Sequence, residues 1–277
     1  MISGRTHLFG VIGHPVGHSL SPAMHNAALH ALGVDGAYVA MPVLPERLGE
    51  AVRGAHALGF FGLNVTVPHK LGVAKLCQRL DHTAELCGAV NTLRRTPEGW
   101  EGFNTDAPAC LGLLEASHLR RGARALLLGA GGAAAAGAFA LLSVGAEVTV
   151  AARRREAGAE LRRRLRSAFK EGQLELAAWE EVPRLARDTE VVVNATSVGM
   201  GGGDTELGAL HFAKGQVAVD FVYGGTAFGH AALAAGATLI TGEQLLVRQG
   251  ALAFTLFTGK PAPEAVMTTA LRSSPHP

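Results

Sequence analysis

The chain has 277 residues, of which 48% are apolar and 36 are glycine. It is therefore long enough for two ordinary domains or one large one, with many tight turns. Its formal charge of +2 excludes a global electrostatic attraction to nucleic acid or to a membrane.

Short apolar runs alternate with helical patterns in the first hundred residues. Strands are predicted over 8–12, 37–43 and 60–67, and helices from Pro22 onward and over 45–58. Alternation of strands and helices is typical of a mostly parallel sheet covered by helices.

A second series of the same kind begins near residue 120, after a join predicted at 104–120. Strands are predicted over 124–128, 147–152, 175–178, 190–194, 217–221 and 238–240, and helices over 133–143, up to Arg166, and over 242–256. Two such series predict an α/β protein with two domains.

The cysteines and the first residues of the chain indicate the cellular compartment of the protein. The three cysteines have no C-x-x-C spacing and are odd in number, so they indicate neither a disulfide framework nor a zinc cluster. Residues 1–13 show no charged-then-apolar signal pattern, and no apolar run is long enough to span a bilayer. We expect a cytoplasmic protein without a bound metal.

A glycine-rich turn lies between the predicted strand 124–128 and the predicted helix 133–143. It matches the pattern G-x-G-x-x-A, in which the first glycine allows a tight turn and the second lets the backbone approach a pyrophosphate. A plain turn into a buried helix is the alternative. The candidate cofactor residues are Gly129, Ala130, Gly131, Gly132, Ala133 and Ala134.

The end of the next strand indicates which cofactor binds. An NAD site favours an acidic residue there, which bonds the ribose 2′-hydroxyl. Here Arg153 and Arg154 follow the strand, and a guanidinium can grip a 2′-phosphate through two hydrogen bonds. We therefore predict NADP. The alternative is a solvated helix face, which we assign to the later arginines: Arg162, Arg163, Arg164 and Arg166.

Two polar segments in the first half are candidates for chemistry. Ser21 before Pro22 predicts a helix cap, but capping does not explain Ser19, and two hydroxyls at a helix start also suit a carboxylate. Asn64 and Thr66 lie on one face of a predicted strand. Lys70 follows in the first turn of a helix, where the dipole disfavours a cation, and this favours a functional role over a solvated one.

A third polar segment lies before the predicted join. Thr105 is predicted to cap a helix that runs to Ala116, and Asp106 lies in its first turn. Taken by itself, Asp106 is readily explained by helix-start chemistry, which is the alternative to a functional role. Asn91 and Thr92 form a further polar pair in an apolar setting.

The order of these motifs resembles the shikimate dehydrogenase family over nearly the whole chain. The sequence VIGHPVGHSLSPAMHN at 11–26 is a near-complete copy of that family's first signature. The later motifs are NVTVPHK at 64–70, GAVNT at 88–92, GFNTD at 102–106, GAGGAA at 129–134, NATS at 194–197, DFVY at 220–223 and QGALAF at 249–254.

The resemblance implies an oxidoreductase that reversibly reduces 3-dehydroshikimate to shikimate with NADPH, in the chorismate pathway to aromatic amino acids. It also implies an α/β substrate domain of residues 1–104 plus 242–277 and a Rossmann dinucleotide-binding domain of residues 105–241, with the active site in the cleft between them. Nothing in the sequence determines the oligomeric state, so a homodimer stays open.

The resemblance further implies a role for individual residues. Ser19 and Ser21 would hold the substrate carboxylate, and Lys70 and Asp106 would be the catalytic pair. The ring hydroxyls would be bound by Asn64, Thr66, Asn91, Asp106, Tyr223 and Gln249. Beyond the glycine turn and the two arginines, the cofactor would be bound by Thr196, Phe221 and Gly242.

Two departures from the family pattern concern the cofactor. The usual Asn-Arg-Thr is replaced by Ala152-Arg153-Arg154. One arginine is kept, but the departure does not tell which of these residues bind the 2′-phosphate. The proline that usually follows the tyrosine is replaced by Gly224-Gly225, which is expected to loosen that loop.

Three alternatives remain. A quinate dehydrogenase, or one acting on both substrates, is disfavoured by the two serines and by the basic cluster. A non-catalytic NADP(H)-binding sensor is disfavoured by the intact Lys70 and Asp106. A nucleic-acid binder that uses the arginines of 153–166 is disfavoured by the near-neutral charge and the lack of interleaved aromatic residues.

Overall fold

A computed structural model describes residues 2–166, 169, 172–200 and 206–274 of the chain. The chain forms two units, one of Met1–Thr105 with Leu246–Pro277 and one of Asp106–Leu245. Within the described ranges, no helix combines the length and the apolar composition needed to cross a membrane.

The secondary structure alternates along most of the chain. The strands are β1 (His7–Gly13), β2 (Gly36–Pro42), β3 (Gly62–Val65), β4 (Arg79–Leu80), β5 (Thr92–Thr96), β6 (Gly99–Phe103), β7 (Arg124–Leu128), β8 (Glu147–Ala151), β9 (Leu174–Ala177), β10 (Val191–Asn194), β11 (Val217–Asp220) and β12 (Thr238–Ile240). The helices are α1 (Ser21–Ala31), α2 (Leu48–Ala57), α3 (Lys70–Val73), α4 (His82–Cys87), α5 (Asp106–Ala116), α6 (Gly132–Ser143), α7 (Arg155–Leu165), α8 (Val182–Asp188), α9 (Ala227–Ala234), α10 (Gly242–Thr258) and α11 (Glu264–Ser273).

The sheet of the first unit has the strand order β2-β1-β3-β5-β6-β4. The first three strands are parallel, as the alternation predicts. β5 pairs antiparallel with both β3 and β6, and this hairpin was not predicted. The hairpin carries Arg94, Arg95 and Glu101, so its sequence lacks the apolar alternation by which a strand is recognised.

The core of this unit is apolar and closely packed around the sheet. Its buried members include Ile12, Leu63 and Trp100. A Cβ atom added at Gly62 on β3 would lie 2.1 Å from the ring of Phe257 on α10. Glycine at this position therefore lets α10 pack directly on the sheet.

The sheet of the second unit contains six strands in the order β12-β11-β10-β7-β8-β9, and all its pairs are parallel. From β7 the chain adds β8 and β9 on one side, and it then adds β10, β11 and β12 on the other. This is the doubly wound Rossmann topology, and dinucleotides bind where the strand order reverses. The α/β fold class with a Rossmann domain is therefore confirmed.

Candidate active site

The two serines lie in the turn before α1. Ser21 is the first residue of that helix, and no side chain caps it, so the prediction that Ser21 is the cap was wrong. The helix begins one residue earlier than predicted, and the Ser21 N–H donates to Ser19 Oγ over 3.3 Å. Ser21 is 6% exposed.

A buried tyrosine extends this serine turn towards β3. Tyr38 donates its hydroxyl hydrogen to Asn64 Oδ1 over 2.7 Å. Burial raises the pKa of the Tyr38 phenol well above its usual range, although a hydrogen bond with Ser21 lowers it. The phenol therefore stays protonated and remains a donor to Asn64.

Asn64 at the end of β3 uses its amide nitrogen as well. Nδ2 donates to the backbone oxygen of Asn91 over 3.3 Å and to Thr92 Oγ1 over 3.1 Å. These contacts fix which side of the carboxamide carries the oxygen. Thr66 lies just beyond the strand and is half-buried.

Asn91 connects this group to Thr105 and α10. Its Nδ2 donates to Thr105 Oγ1 over 2.9 Å and to Gln249 Oε1 over 3.2 Å, and its Oδ1 accepts the Thr105 N–H over 2.7 Å. Gln249 Nε2 donates to the backbone oxygen of Leu246 over 2.9 Å. The structure therefore brings three predicted substrate residues, Asn64, Asn91 and Gln249, into one hydrogen-bonded network.

Three members of this network were not predicted as site residues: Tyr38, Thr92 and Thr105. Thr105 was predicted only as a helix cap, and its hydroxyl bonds Asn91, Thr92 and Gln249. The motif pairs Asn91-Thr92 and Asn104-Thr105 carried a signal for the two threonines. Tyr38 lies in an apolar strand and carried none.

Lys70 is the first residue of α3 and is half-buried. Its backbone oxygen accepts the Val90 N–H over 2.8 Å. The preceding residue, His69, is 2% exposed, and its ring Nε2 lies 2.7 Å from the backbone oxygen of Val43. Both contacts fix the backbone from which the lysine side chain extends.

Asp106 and Tyr223 belong to the second unit. Asp106 is the first residue of α5 and is 8% exposed. Burial, together with the Asp106 carboxylate, raises the pKa of the Cys110 thiol to about 12. Tyr223 follows β11 and is half-buried, and the next N–H, of Gly224, donates to Glu243 Oε1 over 2.8 Å.

The glycine turn between β7 and α6 and the first turn of that helix contain three of the predicted cofactor residues, Gly129, Gly131 and Ala134. Gly129 has a φ of +107°, and a Cβ there would lie 2.9 Å from the backbone oxygen of Ala195, so a larger residue is disfavoured. Gly131 precedes α6 and is exposed, and a Cβ there would meet nothing within 4 Å. Ala134 is fully buried. The helix start is therefore accessible to a phosphate group.

Arg153 and Arg154 are exposed at the end of β8. The later arginines pair with glutamates: Arg163 lies 2.7 Å from Glu160, and Arg162 lies 4.0 Å from Glu175. Those pairs agree with the assignment of Arg162 and Arg163 to a solvated helix face. The Arg164 side chain is only 19% exposed, so the same assignment was wrong for that residue.

The ends of β10 and β11 are joined by buried hydrogen bonds. Asn194 Nδ2 donates to Asp220 Oδ1 over 3.0 Å, and the Thr226 hydroxyl donates to Asp220 Oδ2. Burial raises the pKa of the Asp220 carboxyl to about 6, although these bonds lower it. Thr196 donates its hydroxyl hydrogen to Asn194 Oδ1 over 2.7 Å. The bonds fix the loops that carry two predicted cofactor residues, Thr196 and Phe221.

Gly242, the last predicted cofactor residue, begins α10 next to the loop after β11. A Cβ there would lie 2.5 Å from the backbone of Val222. The residue is therefore a point of close backbone approach, which explains its glycine without reference to a cofactor.

Comparison with known proteins gives the family. The profile "Shikimate dehydrogenase substrate binding domain" matches residues 11–93, and "Shikimate 5'-dehydrogenase C-terminal domain" matches residues 242–272. The curated "Shikimate dehydrogenase (NADP(+))" of Anaeromyxobacter sp. (strain K) is 61% identical over 273 residues, which cover 99% of this chain and 98% of that protein.

Two of the similar solved structures are dehydrogenases named for different substrates, shikimate and quinate. Shikimate 5-dehydrogenase from Thermus thermophilus, in complex with NADP(H) and shikimate, has a TM-score of 0.82 and 37% identity over 96% of this chain and 99% of that chain. Quinate dehydrogenase from Corynebacterium glutamicum, in complex with NAD, has a TM-score of 0.85 and 29% identity over 97% of this chain and 99% of that chain. From the full-length identity and the matching domains, the chain belongs to the shikimate dehydrogenase family.

Proposed function

We propose that the chain catalyses the reversible reduction of 3-dehydroshikimate to shikimate with NADPH, in the biosynthesis of aromatic amino acids. The observation that carries the proposal is the network of Asn64, Asn91 and Gln249. It holds three carboxamides in fixed orientations at one place in the first unit. Such groups suit a ring that bears several hydroxyls, because each hydroxyl both donates and accepts a hydrogen bond.

The substrate residues would divide by the part of the substrate that they bind. Ser19 and Ser21 would hold the carboxylate through their hydroxyls. The ring hydroxyls would be bound by Asn64, Thr66, Asn91, Asp106, Tyr223 and Gln249. Residues 1–104 with 242–277 would form the substrate domain, and residues 105–241 the NADP domain.

Lys70 and Asp106 would carry the proton chemistry. Bound NADPH supplies a hydride for the carbon of the ring ketone. The ammonium of Lys70 would stabilise the negative charge that grows on the ketone oxygen and would donate a proton to it. Asp106 would orient the lysine and a substrate hydroxyl.

The cofactor would lie at the carboxyl end of the second sheet. Its pyrophosphate would bind the glycine turn of residues 129–134, and its 2′-phosphate would bind Arg153 and Arg154. Thr196, Phe221 and Gly242 would contact the remaining parts. A homodimer and a cytoplasmic location stay predictions.

The purified protein is expected to oxidise shikimate fastest with NADP, and much more slowly with NAD or with quinate. Absorbance of the reduced nicotinamide measures all four combinations. A faster reaction with quinate and NAD would contradict the proposal and favour the quinate dehydrogenase alternative. No reaction in a folded protein that still binds NADP would favour the sensor.

Replacing Gly131 with alanine is expected to raise KM for NADP by about tenfold, because the new methyl group fills the space through which a pyrophosphate approaches the helix start. Unfolding measurements should show a smaller effect, since the methyl group meets no protein atom. Gly54→Ala on α2, where a Cβ also meets nothing within 4 Å, is the matched control and should leave KM unchanged. An unchanged KM in Gly131→Ala would argue against this phosphate site.

A further inference from the structure

An aromatic side chain lies beside the arginine that follows β8. β8 and β9 are parallel neighbours in which Ala151 is opposite Ala177. Arg153 lies two residues after Ala151, and Trp179 lies two residues after Ala177. Both residues therefore lie side by side, just beyond the carboxyl ends of the two strands. The guanidinium carbon of Arg153 lies 5.9 Å from the centroid of the Trp179 ring.

The Trp179 ring is itself held in place. Its Nε1–H donates to Glu206 Oε1 over 2.6 Å, and the ring packs against the apolar core of the second unit. The turn that carries it is closed by the Ala178 N–H, which donates to Glu181 Oε2 over 3.0 Å. The indole is therefore a fixed surface rather than a mobile one.

A fixed aromatic surface beside an exposed arginine lowers the entropy that the arginine loses when it binds an anion. Arg153 is exposed, and a free guanidinium loses conformational entropy when it binds an anion. Attraction between the guanidinium and the indole face restricts the side chain beforehand. The edge of the guanidinium keeps its N–H groups for a phosphate.

We propose that Trp179, anchored by Glu206, is a positioning residue that holds Arg153 for the ribose 2′-phosphate. The preference for NADP over NAD then depends on an aromatic face at position 179. This inference rests on the proposed NADP-dependent function and deepens it, because it assigns specificity to a residue outside the family's motifs. The effect acts through Arg153 and leaves the proton chemistry untouched.

Steady-state kinetics with both cofactors test the inference. Trp179→Leu should raise KM for NADP by about 2- to 5-fold, the range that one exposed cation–π contact gives, and leave KM for NAD and kcat unchanged. Trp179→Phe keeps an aromatic face and should retain most of the affinity. An equal rise in KM for both cofactors would show a merely structural role and overturn the inference.

A double-mutant cycle tests whether Trp179 acts through Arg153. In an Arg153→Ala background, Trp179→Leu should cause no further rise in KM for NADP, because the residue that it positions is already absent. Arg187→Ala, which removes an exposed arginine of α8, serves as the control for lost charge. Additive effects of the two substitutions would overturn the inference.

A binding measurement separates this inference from the catalytic function. The chain has two tryptophans, and Trp100 is 3% exposed in the core of the first unit, so ligand-dependent fluorescence would report Trp179. Adenosine 2′,5′-bisphosphate should change the emission saturably, and adenosine 5′-monophosphate at the same concentration should not. The signal should be lost in Trp179→Phe and Arg153→Ala. Binding detected by calorimetry without any emission change would overturn the inference, whether or not shikimate is oxidised.

Discussion

Replacing Lys70 with alanine is expected to lower kcat for shikimate oxidation by about 10²- to 10⁴-fold, the usual contribution of a positioned acid or base. The shikimate dissociation constant should change little, because the ammonium interacts most strongly with charge that exists only in the transition state. The backbone should stay in place, since the Lys70 carbonyl is bonded by Val90 and the His69 ring lies against Val43. Steady-state kinetics and calorimetric binding of shikimate measure the two quantities separately.

Lys75→Ala is the matched control for this variant. Lys75 is exposed and lies in the turn that follows α3, so its removal takes away one cation from the same segment. Its kinetics should match those of the unaltered protein. If Lys70→Ala lost binding and rate by the same factor, Lys70 would be a binding residue and not the proton donor.

The elements that sequence analysis located most accurately are those with a local signal. The β7–α6 unit combines an apolar run, a glycine turn and an alanine-rich helix, and its strand was predicted with the observed bounds. The β5–β6 hairpin was missed because its stability comes from pairing with other chain segments. Glu101 on β6 pairs with Arg94 on β5 within the hairpin and with Arg79 on β4 outside it. The contact with β4 has no signal in the sequence of the hairpin itself.

In the candidate site as well, the sequence identified individual residues but not the contacts between residues far apart in the chain. Motifs singled out Asn64, Asn91 and Gln249, but the hydrogen bond between Asn91 and Gln249 joins residues 158 positions apart. No periodicity predicts such a contact. The tyrosine that fixes Asn64 gave no sequence signal, because a phenol in an apolar strand is usually an ordinary core residue.

A buried histidine, His25, should make the folded protein less stable as the pH falls. His25 on α1 is 1% exposed, and its Nε2 has no hydrogen-bond partner among the described residues. Its ring stacks on Tyr38 with centroids 4.3 Å apart. Burial lowers the pKa of His25 from 6.5 to about 3, so the ring is neutral in the folded protein.

The sign of the pH effect follows from the proton count. Between pH 6.5 and pH 3 the unfolded chain binds a proton at His25 and the folded chain does not. The contribution of His25 to the free energy of unfolding should therefore be fully present above pH 6.5. It should fall as the pH falls, by about 2 kcal/mol between pH 7 and pH 5. Asp220 has the opposite sign, because its pKa is raised to about 6 and protonation in that range favours the folded state.

Because these two groups partly cancel in the unaltered protein, a variant is needed to isolate the histidine. Urea unfolding of His25→Leu at pH 7 and pH 5 should show a loss on acidification that is about 2 kcal/mol smaller than in the unaltered protein. His30→Leu, which removes an exposed histidine from the same helix, should keep the original loss. If His25→Leu and His30→Leu lost the same amount, the neutral buried ring would not be the source of the acid sensitivity. Groups other than Asp220, whose effect has the opposite sign, would then have to account for it.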